Sequence, residues 1–131
     1  MKVLVTGANG MLGQDLCPYL EELGIMVVPT DYDTMDITDS IQTEEVISRV
    51  HPDLIIHCAA YTNVDKAEDE LDFAYLLNSQ AVENLALVAK ESGTLLIHIS
   101  TDYVFSGESS TPYTEEDDTC PIGIYGKTKC A

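Results

Sequence analysis

Four short apolar runs divide the chain, at residues 3–5, 25–28, 54–58 and 95–99. Each is continuous rather than alternating and is rich in Val, Ile or Leu. That is the pattern of a parallel strand buried on both faces beneath helices. Between the runs the pattern predicts helices near 11–23, 40–50 and 79–92. In the last of these, Val82, Leu85, Ala86 and Ala89 fall at the spacing of one helical face and predict an apolar stripe that packs on a sheet. Gly24 and Gly93 follow two of the helices where a left-handed cap is wanted. The order β-α-β-α-β-α-β, with right-handed crossovers, predicts an α/β fold: a doubly wound parallel sheet with helices on both faces and ligands at the carboxyl ends of its strands. The stretch from Ser106 to Cys120 is polar and acidic and reads as a surface loop.

The turn after the first strand carries Gly7, Gly10 and Gly13 in the spacing G-x-x-G-x-x-G. Glycines there allow a tight turn, let backbone approach a pyrophosphate and let the helix pack close to the strand, while the helix N-terminus offers free N–H groups and a positive dipole end. An idle glycine-rich turn is the alternative. The intact triplet, placed directly after a first strand, favours a nucleotide and a Rossmann-type fold. Asp31 follows the second strand about 20 residues beyond the turn, where a carboxylate reaches the adenosine ribose. No arginine lies nearby to receive a 2′-phosphate, so NADH is expected to bind at least as well as NADPH.

Near the end of the chain, Tyr125-Gly126-Lys127-Thr128-Lys129 places a phenol and an ammonium four residues apart. On a helix they share a face, and a nearby positive charge favours the phenolate, which makes the tyrosine a usable general acid. Two residue types at one spacing also recur by chance. The predicted topology adds two strand ends on the same edge: Cys58-Ala59-Ala60-Tyr61-Thr62, where small residues let a flat cofactor lie against backbone, and Ser100-Thr101-Asp102, where a hydroxyl can meet a substrate carbonyl. Capping of a turn is the plainer role for the latter three.

Composition narrows the partners. The 131 residues, 45% hydrophobic, fit one domain with a real core. Asp and Glu total 23 against 6 Lys and Arg, a formal net charge of −17, which excludes a basic nucleic-acid surface and repels an anionic cofactor except where backbone N–H groups and Lys129 act locally. No apolar run approaches the roughly 20 residues that span a bilayer, and the N-terminus enters a strand without a leader, so a cytoplasmic protein with no membrane partner is expected. Cys17, Cys58, Cys120 and Cys130 lack C-x-x-C pairing and read as free thiols. His51, His57 and His98 show no metal-ligand spacing; His57 and His98 end apolar strands, where a hydrogen-bonded structural role is expected.

Five stretches taken together, Thr6-Gly7-x-x-Gly10-x-x-Gly13, Ala59-Ala60-Tyr61-Thr62-x-Val64-Asp65-Lys66-Ala67-Glu68, Ser100-Thr101-Asp102-Tyr103-Val104-Phe105, and Pro112-Tyr113-x-Glu115-Glu116-Asp117 before Tyr125-Gly126-Lys127-Thr128-Lys129, resemble the dTDP-4-dehydrorhamnose reductase family of extended short-chain dehydrogenase/reductases. The resemblance covers the whole chain. It implies that NADPH or NADH delivers hydride to the C4 ketone of dTDP-4-dehydro-L-rhamnose, giving dTDP-L-rhamnose for polysaccharide. It implies Thr101, Tyr125 and Lys129 as catalytic residues. By the same resemblance Gly7, Gly10, Met11, Leu12, Gly13, Asp31, Asp36, Ile37, Ala59, Ala60, Tyr61, Thr62, Tyr125 and Lys129 line the cofactor, and Thr101, Asp102 and Tyr103 face the nucleotide-sugar substrate. No metal site is implied, and the full-length protein is free to form a homodimer.

Family members run to roughly twice this length. Residues 1–131 are therefore expected to be the NAD(P)-binding Rossmann domain, with the C-terminal substrate-binding part absent, and to hold cofactor without useful turnover. Other readings stay open: a nucleotide-binding portion with no chemistry, or another nucleotide-sugar epimerase or dehydratase, although a dehydratase usually has an acid where Tyr103 stands. A regulatory subunit like methionine adenosyltransferase beta matches less well through residues 61–68.

Overall fold

A computed structural model describes residues 1–131. Its contacts gather into two compact units, Met1–Ala60 with Gln80–Ile99, and Tyr61–Ser79 with Ser100–Ala131.

The first unit contains the sheet. Strands β1 (Lys2–Thr6), β2 (Met26–Thr30), β3 (Leu54–His57) and β4 (Leu95–His98) are all parallel and lie in the order β2-β1-β3-β4. Helices α1 (Met11–Glu22), α2 (Ser40–Val50) and α5 (Ala81–Ser92) make the crossovers. This is the Rossmann-type, doubly wound arrangement. The chain leaves β1 for β2 on one side and then returns for β3 on the other, so the strand order reverses between β1 and β3, where such sheets bind ligands. Val3, Val5 and Ile56 join Leu20 of α1 in one core cluster, with Leu16, Cys17, Val27 and Cys58 packed against it. Leu4 and Ile55 alternate to the opposite face and are wholly buried there.

Only the two central strands are buried as the apolar runs predict. β2 and β4 are edge strands, with Met26 and Leu95 61% and 71% exposed. Edge position also explains why Pro29 is tolerated in β2, since a proline that lacks an N–H is confined to edges. On β4, Leu95 and Ile97 are exposed, as is Ile99 just beyond it, correcting the expectation of full burial. In α5 the buried positions are Ala81, Leu85 and Ala89; Ala86 is exposed rather than part of the stripe. The contacts of α5 fall on α2 as well as β4, which rotates the buried face away from Ala86. Gly24 and Gly93 take the expected left-handed conformation at φ +74° and +70°, and His51 does so after α2 at φ +47°.

Buried polar groups at the strand ends are paired. Thr6 Oγ1 and His57 Nδ1 lie 2.6 Å apart, the Thr30 hydroxyl donates to the Val5 carbonyl at 3.1 Å, and the His57 and His98 rings stack at 5.3 Å. His57 thus has the hydrogen-bonded structural role expected of it, and the His98 ring packs against it. All four cysteines are free, and burial pushes the Cys17 and Cys58 thiols up.

The second unit consists of α3 (Val64–Ala67), α4 (Leu71–Tyr75), a π-helical turn over Leu76–Gln80 whose first four residues belong here, a 3-10 turn at Asp102–Val104, the acidic loop and α6 (Ile124–Cys130). The helices within 61–75 have no periodic apolar run long enough to announce them. The loop is irregular and mostly exposed as expected, pinned by Phe105 stacked on Tyr113 at 4.3 Å and by the Cys120 N–H donating to the Val104 carbonyl at 2.9 Å. No helix is long and apolar enough to cross a membrane.

Candidate functional site

The glycine turn belongs to the first unit, and its three glycines are demanded by different things. Gly7 has φ +64°, and a Cβ there would stand 2.6 Å from the Ala59 nitrogen, so the β1 turn and the end of β3 approach as closely as backbone allows. Gly13 packs on the same turn: its Cβ would meet the Gly7 carbonyl oxygen at 2.5 Å. Gly10 is exposed, in ordinary extended conformation at the N-cap of α1, with no side chain capping the helix and no acidic residue in its first turn. Despite the net charge of −17, this helix start therefore keeps its positive end uncovered, a fit for phosphate. Met11 is 89% exposed and Leu12 is exposed beside it.

Asp31, at the end of β2, braces this turn. Its carboxylate accepts the Asn9 N–H and its own neighbour Tyr32 N–H, each at 2.8 Å, which joins the second strand to the glycine loop. Asp36 accepts both the N–H and hydroxyl of Thr38, at 2.9 and 2.7 Å, and its own N–H donates to Gln42 Oε1. Ile37 is buried in the core. Ala59 and Ala60 are half-buried at the mouth of β3, where the Thr6 hydroxyl accepts the Ala59 N–H at 3.4 Å.

The remaining candidates belong to the second unit. α6 spans Ile124–Cys130, so Tyr125 and Lys129 lie on one helical face, both half-buried, with burial holding the Lys129 ammonium below the usual lysine range. Gly126 and Thr128, on the two flanks of that face, are buried, and Lys127 opposite it is exposed. A Cβ on Gly126 would stand 2.2 Å from the Tyr103 carbonyl oxygen, so glycine is what lets α6 lie directly on the 102–104 turn. That contact brings Tyr103 against Tyr125, ring centroids 5.5 Å apart at 72°. Thr101 caps the 3-10 turn: its hydroxyl oxygen accepts the Tyr103 N–H at 3.3 Å and its hydroxyl donates to Asp102 at 3.2 Å. The capping role weighed for this stretch is present, on an element packed against α6.

One residue that the sequence reading passed over is central here. Asn78, buried in the π-helical turn, accepts the Tyr61 N–H at 2.8 Å and donates to the Tyr61 carbonyl at 3.0 Å and the Thr128 hydroxyl at 3.1 Å. The Thr128 hydroxyl in turn donates to the Tyr125 carbonyl at 2.9 Å. One side chain thus ties the Tyr61 backbone to the helix of Tyr125. No sequence signal marks it, since Asn78 stands just before the helix that the pattern predicts over 79–92. Thr62 is exposed. The Tyr61 phenol donates to Glu70, and this hydrogen bond, with the carboxylate's charge, raises its pKa to about 12. A carbon-13 label on Tyr61 is expected to report a protonated ring at about pH 10, where an ordinary tyrosine is half ionised. Glu70→Ala should lower it toward the ordinary midpoint, with desolvation and the Asp69 charge still raising it, and a Tyr61 ring half ionised at that pH in the unaltered chain would disprove the pairing.

Comparison with known proteins matches the whole chain, residues 1–131, to the family described as RmlD substrate binding domain. The chain is 44% identical over 129 residues to a dTDP-4-dehydrorhamnose reductase of Burkholderia thailandensis, covering 98% of this chain and 43% of that one. It is 43% identical over 128 residues to the spore coat polysaccharide biosynthesis protein SpsK of Bacillus subtilis, covering 98% and 45%. A crystal structure of dTDP-4-dehydrorhamnose reductase from Bacillus anthracis in complex with NADP superposes with a TM-score of 0.95 at 43% identity, covering 98% of this chain and 46% of that one. The chain spans less than half the length of these relatives.

Proposed function

The chain belongs to the dTDP-4-dehydrorhamnose reductase family, and from that premise we propose that it supplies the NAD(P)H site and the proton-donating residues of a nucleotide-sugar reductase. The substrate is dTDP-4-dehydro-L-rhamnose and the product dTDP-L-rhamnose. The observation that carries this reading is α6, on which Tyr125 and Lys129 share one face while buried Gly126 and Thr128 anchor its flanks.

A ketone becomes an alcohol by gaining hydride at carbon and a proton at oxygen. Bound NAD(P)H supplies the hydride. The Tyr125 phenol gives its proton to the carbonyl oxygen, and Lys129, as ammonium one turn along, stabilises the phenolate left behind. The Thr101 hydroxyl donates to the same oxygen, with Asp102 and Tyr103 beside it against the sugar. The uncapped start of α1 would hold the pyrophosphate through backbone N–H groups at Met11, Leu12 and Gly13, with Gly10, whose own N–H donates to the Gly7 carbonyl, leaving room for close approach. Asp31, Asp36, Ile37, Ala59, Ala60, Tyr61 and Thr62 complete the cofactor's surroundings. On this reading the protein works in the cytoplasm, and residues 1–131 hold the cofactor without useful turnover, since substrate positioning supplies much of any rate enhancement.

Fluorescence titration of the chain with NADH and NADPH tests the cofactor. Binding of both is expected, NADH at least as tightly as NADPH because the Asp31 carboxylate meets the ribose side. An NADPH preference of about tenfold, roughly 1.4 kcal/mol, would overturn that role for Asp31. Absence of binding by either would overturn the site itself. Oxidation of the cofactor on adding dTDP-4-dehydro-L-rhamnose is expected from the full-length protein and not from residues 1–131 alone.

A further inference from the structure

The stretch Asn63-Val64-Asp65-Lys66-Ala67-Glu68 supplies none of the groups assigned above to cofactor, substrate or proton transfer, yet it is folded around one contact. Asn63 caps α3 by accepting the Lys66 N–H at 3.0 Å, and Ala67 is wholly buried. The chain is thereby turned so that Glu68 Oε1 accepts the Ile124 N–H at 2.8 Å, across 56 residues of sequence. Ile124 opens α6 and immediately precedes Tyr125. The residue in the capping position, Gly123, has extended backbone (φ −86°, ψ 166°) and no side chain with which to cap. A Cβ on Gly123 would stand 3.0 Å from that same Glu68 oxygen, so the glycine leaves open the space the carboxylate uses.

We infer that Glu68 is a positioning residue for the reaction, acting as the N-terminal cap of α6 from a distant part of the chain. The inference rests on the proposed role of Tyr125. The first turn of a helix has N–H groups with no partner inside the helix, and a carboxylate placed there satisfies a donor and meets the positive end of the dipole. α6 has only 7 residues, too few to hold itself by internal hydrogen bonds. Its middle is fixed by Gly126 on the Tyr103 carbonyl and by Asn78 on Thr128. Neither anchor meets the Ile124 N–H, which opens the turn that carries the phenol and has no partner inside the helix. Glu68 holds that turn, and Asn63 and Ala67 hold Glu68.

The test uses the full-length protein with Glu68→Ala, Glu68→Gln, and Glu68→Ala combined with Gly123→Ser. Hydrogen exchange at the Ile124 and Tyr125 amides is read beside kcat and KM. Glu68→Ala is expected to speed exchange about fivefold, the scale of a lost cap. It should lower kcat by about the same factor while KM for the cofactor stays within about twofold, since the interaction acts on the placement of Tyr125 rather than on binding. Glu68→Gln, whose amide oxygen still accepts, should keep part of both. Serine at 123 caps from its own position and should restore both in the alanine background. Unchanged exchange in Glu68→Ala, faster exchange with unchanged kcat, or a loss that serine does not restore would each overturn the inference. A full-length wild type without reductase turnover would instead overturn the functional reading, and the exchange rates would still decide whether Glu68 caps α6.

Discussion

Tyr125→Phe in the full-length protein is expected to cut turnover by about 10²-fold or more and to leave most NAD(P)H affinity in place, the scale of a lost general acid. The substitution removes one hydroxyl and keeps the ring. Its edge contact with Tyr103 survives, and the anchors of α6 at Gly126 and Thr128 are untouched. A fall in kcat with little change in cofactor affinity then reports chemistry rather than folding. Stopped-flow oxidation of NADPH with saturating nucleotide-sugar, beside a fluorescence titration of the same variant, separates the two. Turnover equal to wild type would take the tyrosine out of the mechanism.

The glycine turn and the Tyr125 helix were legible in the sequence because each is local. A turn that needs positive φ and close approach announces itself by glycine, and two side chains four residues apart need only a helix to meet. The groups that hold the second feature in place were not legible. Asn78 and Glu68 act on α6 across 50 and 56 residues, and no local pattern says which distant backbone an amide or carboxylate will meet. The π-helical turn that presents Asn78 breaks the 3.6-residue period on which helical reading depends. The runs at 25–28 and 95–99 show the same limit in apolar form. Their composition equals that of the central strands, and what exposes Met26 and Leu95 is their place at the two edges of the sheet, set by topology rather than by their own residues.

The three glycines of the turn give the sharpest separation of fold from binding, because they differ in what a side chain would meet. Gly7→Ala must put a Cβ 2.6 Å from the Ala59 nitrogen at φ +64°. The left-handed conformation costs about 1–2 kcal/mol and the backbone overlap about 1–3 more, so a loss near 3 kcal/mol and a fall in melting temperature of about 10 °C or more are expected. Gly10 differs on both counts. Its φ of −73° and ψ of 170° suit any residue, and its Cβ would lie 3.1 Å from the Gly7 carbonyl oxygen, a tight contact that a small shift relieves. Gly10→Val should therefore melt within a few degrees of wild type, yet weaken NADH and NADPH by about tenfold or more, because branched bulk then stands over the uncapped N–H groups at the start of α1. Thermal unfolding and cofactor titration of the two variants in parallel would show the separation: Gly7→Ala loses stability, Gly10→Val loses binding alone. A Gly10→Val chain that binds as wild type would mean that the pyrophosphate lies elsewhere. A Gly7→Ala chain as stable as wild type would mean that the turn and the end of β3 are not held as closely as the 2.6 Å approach requires.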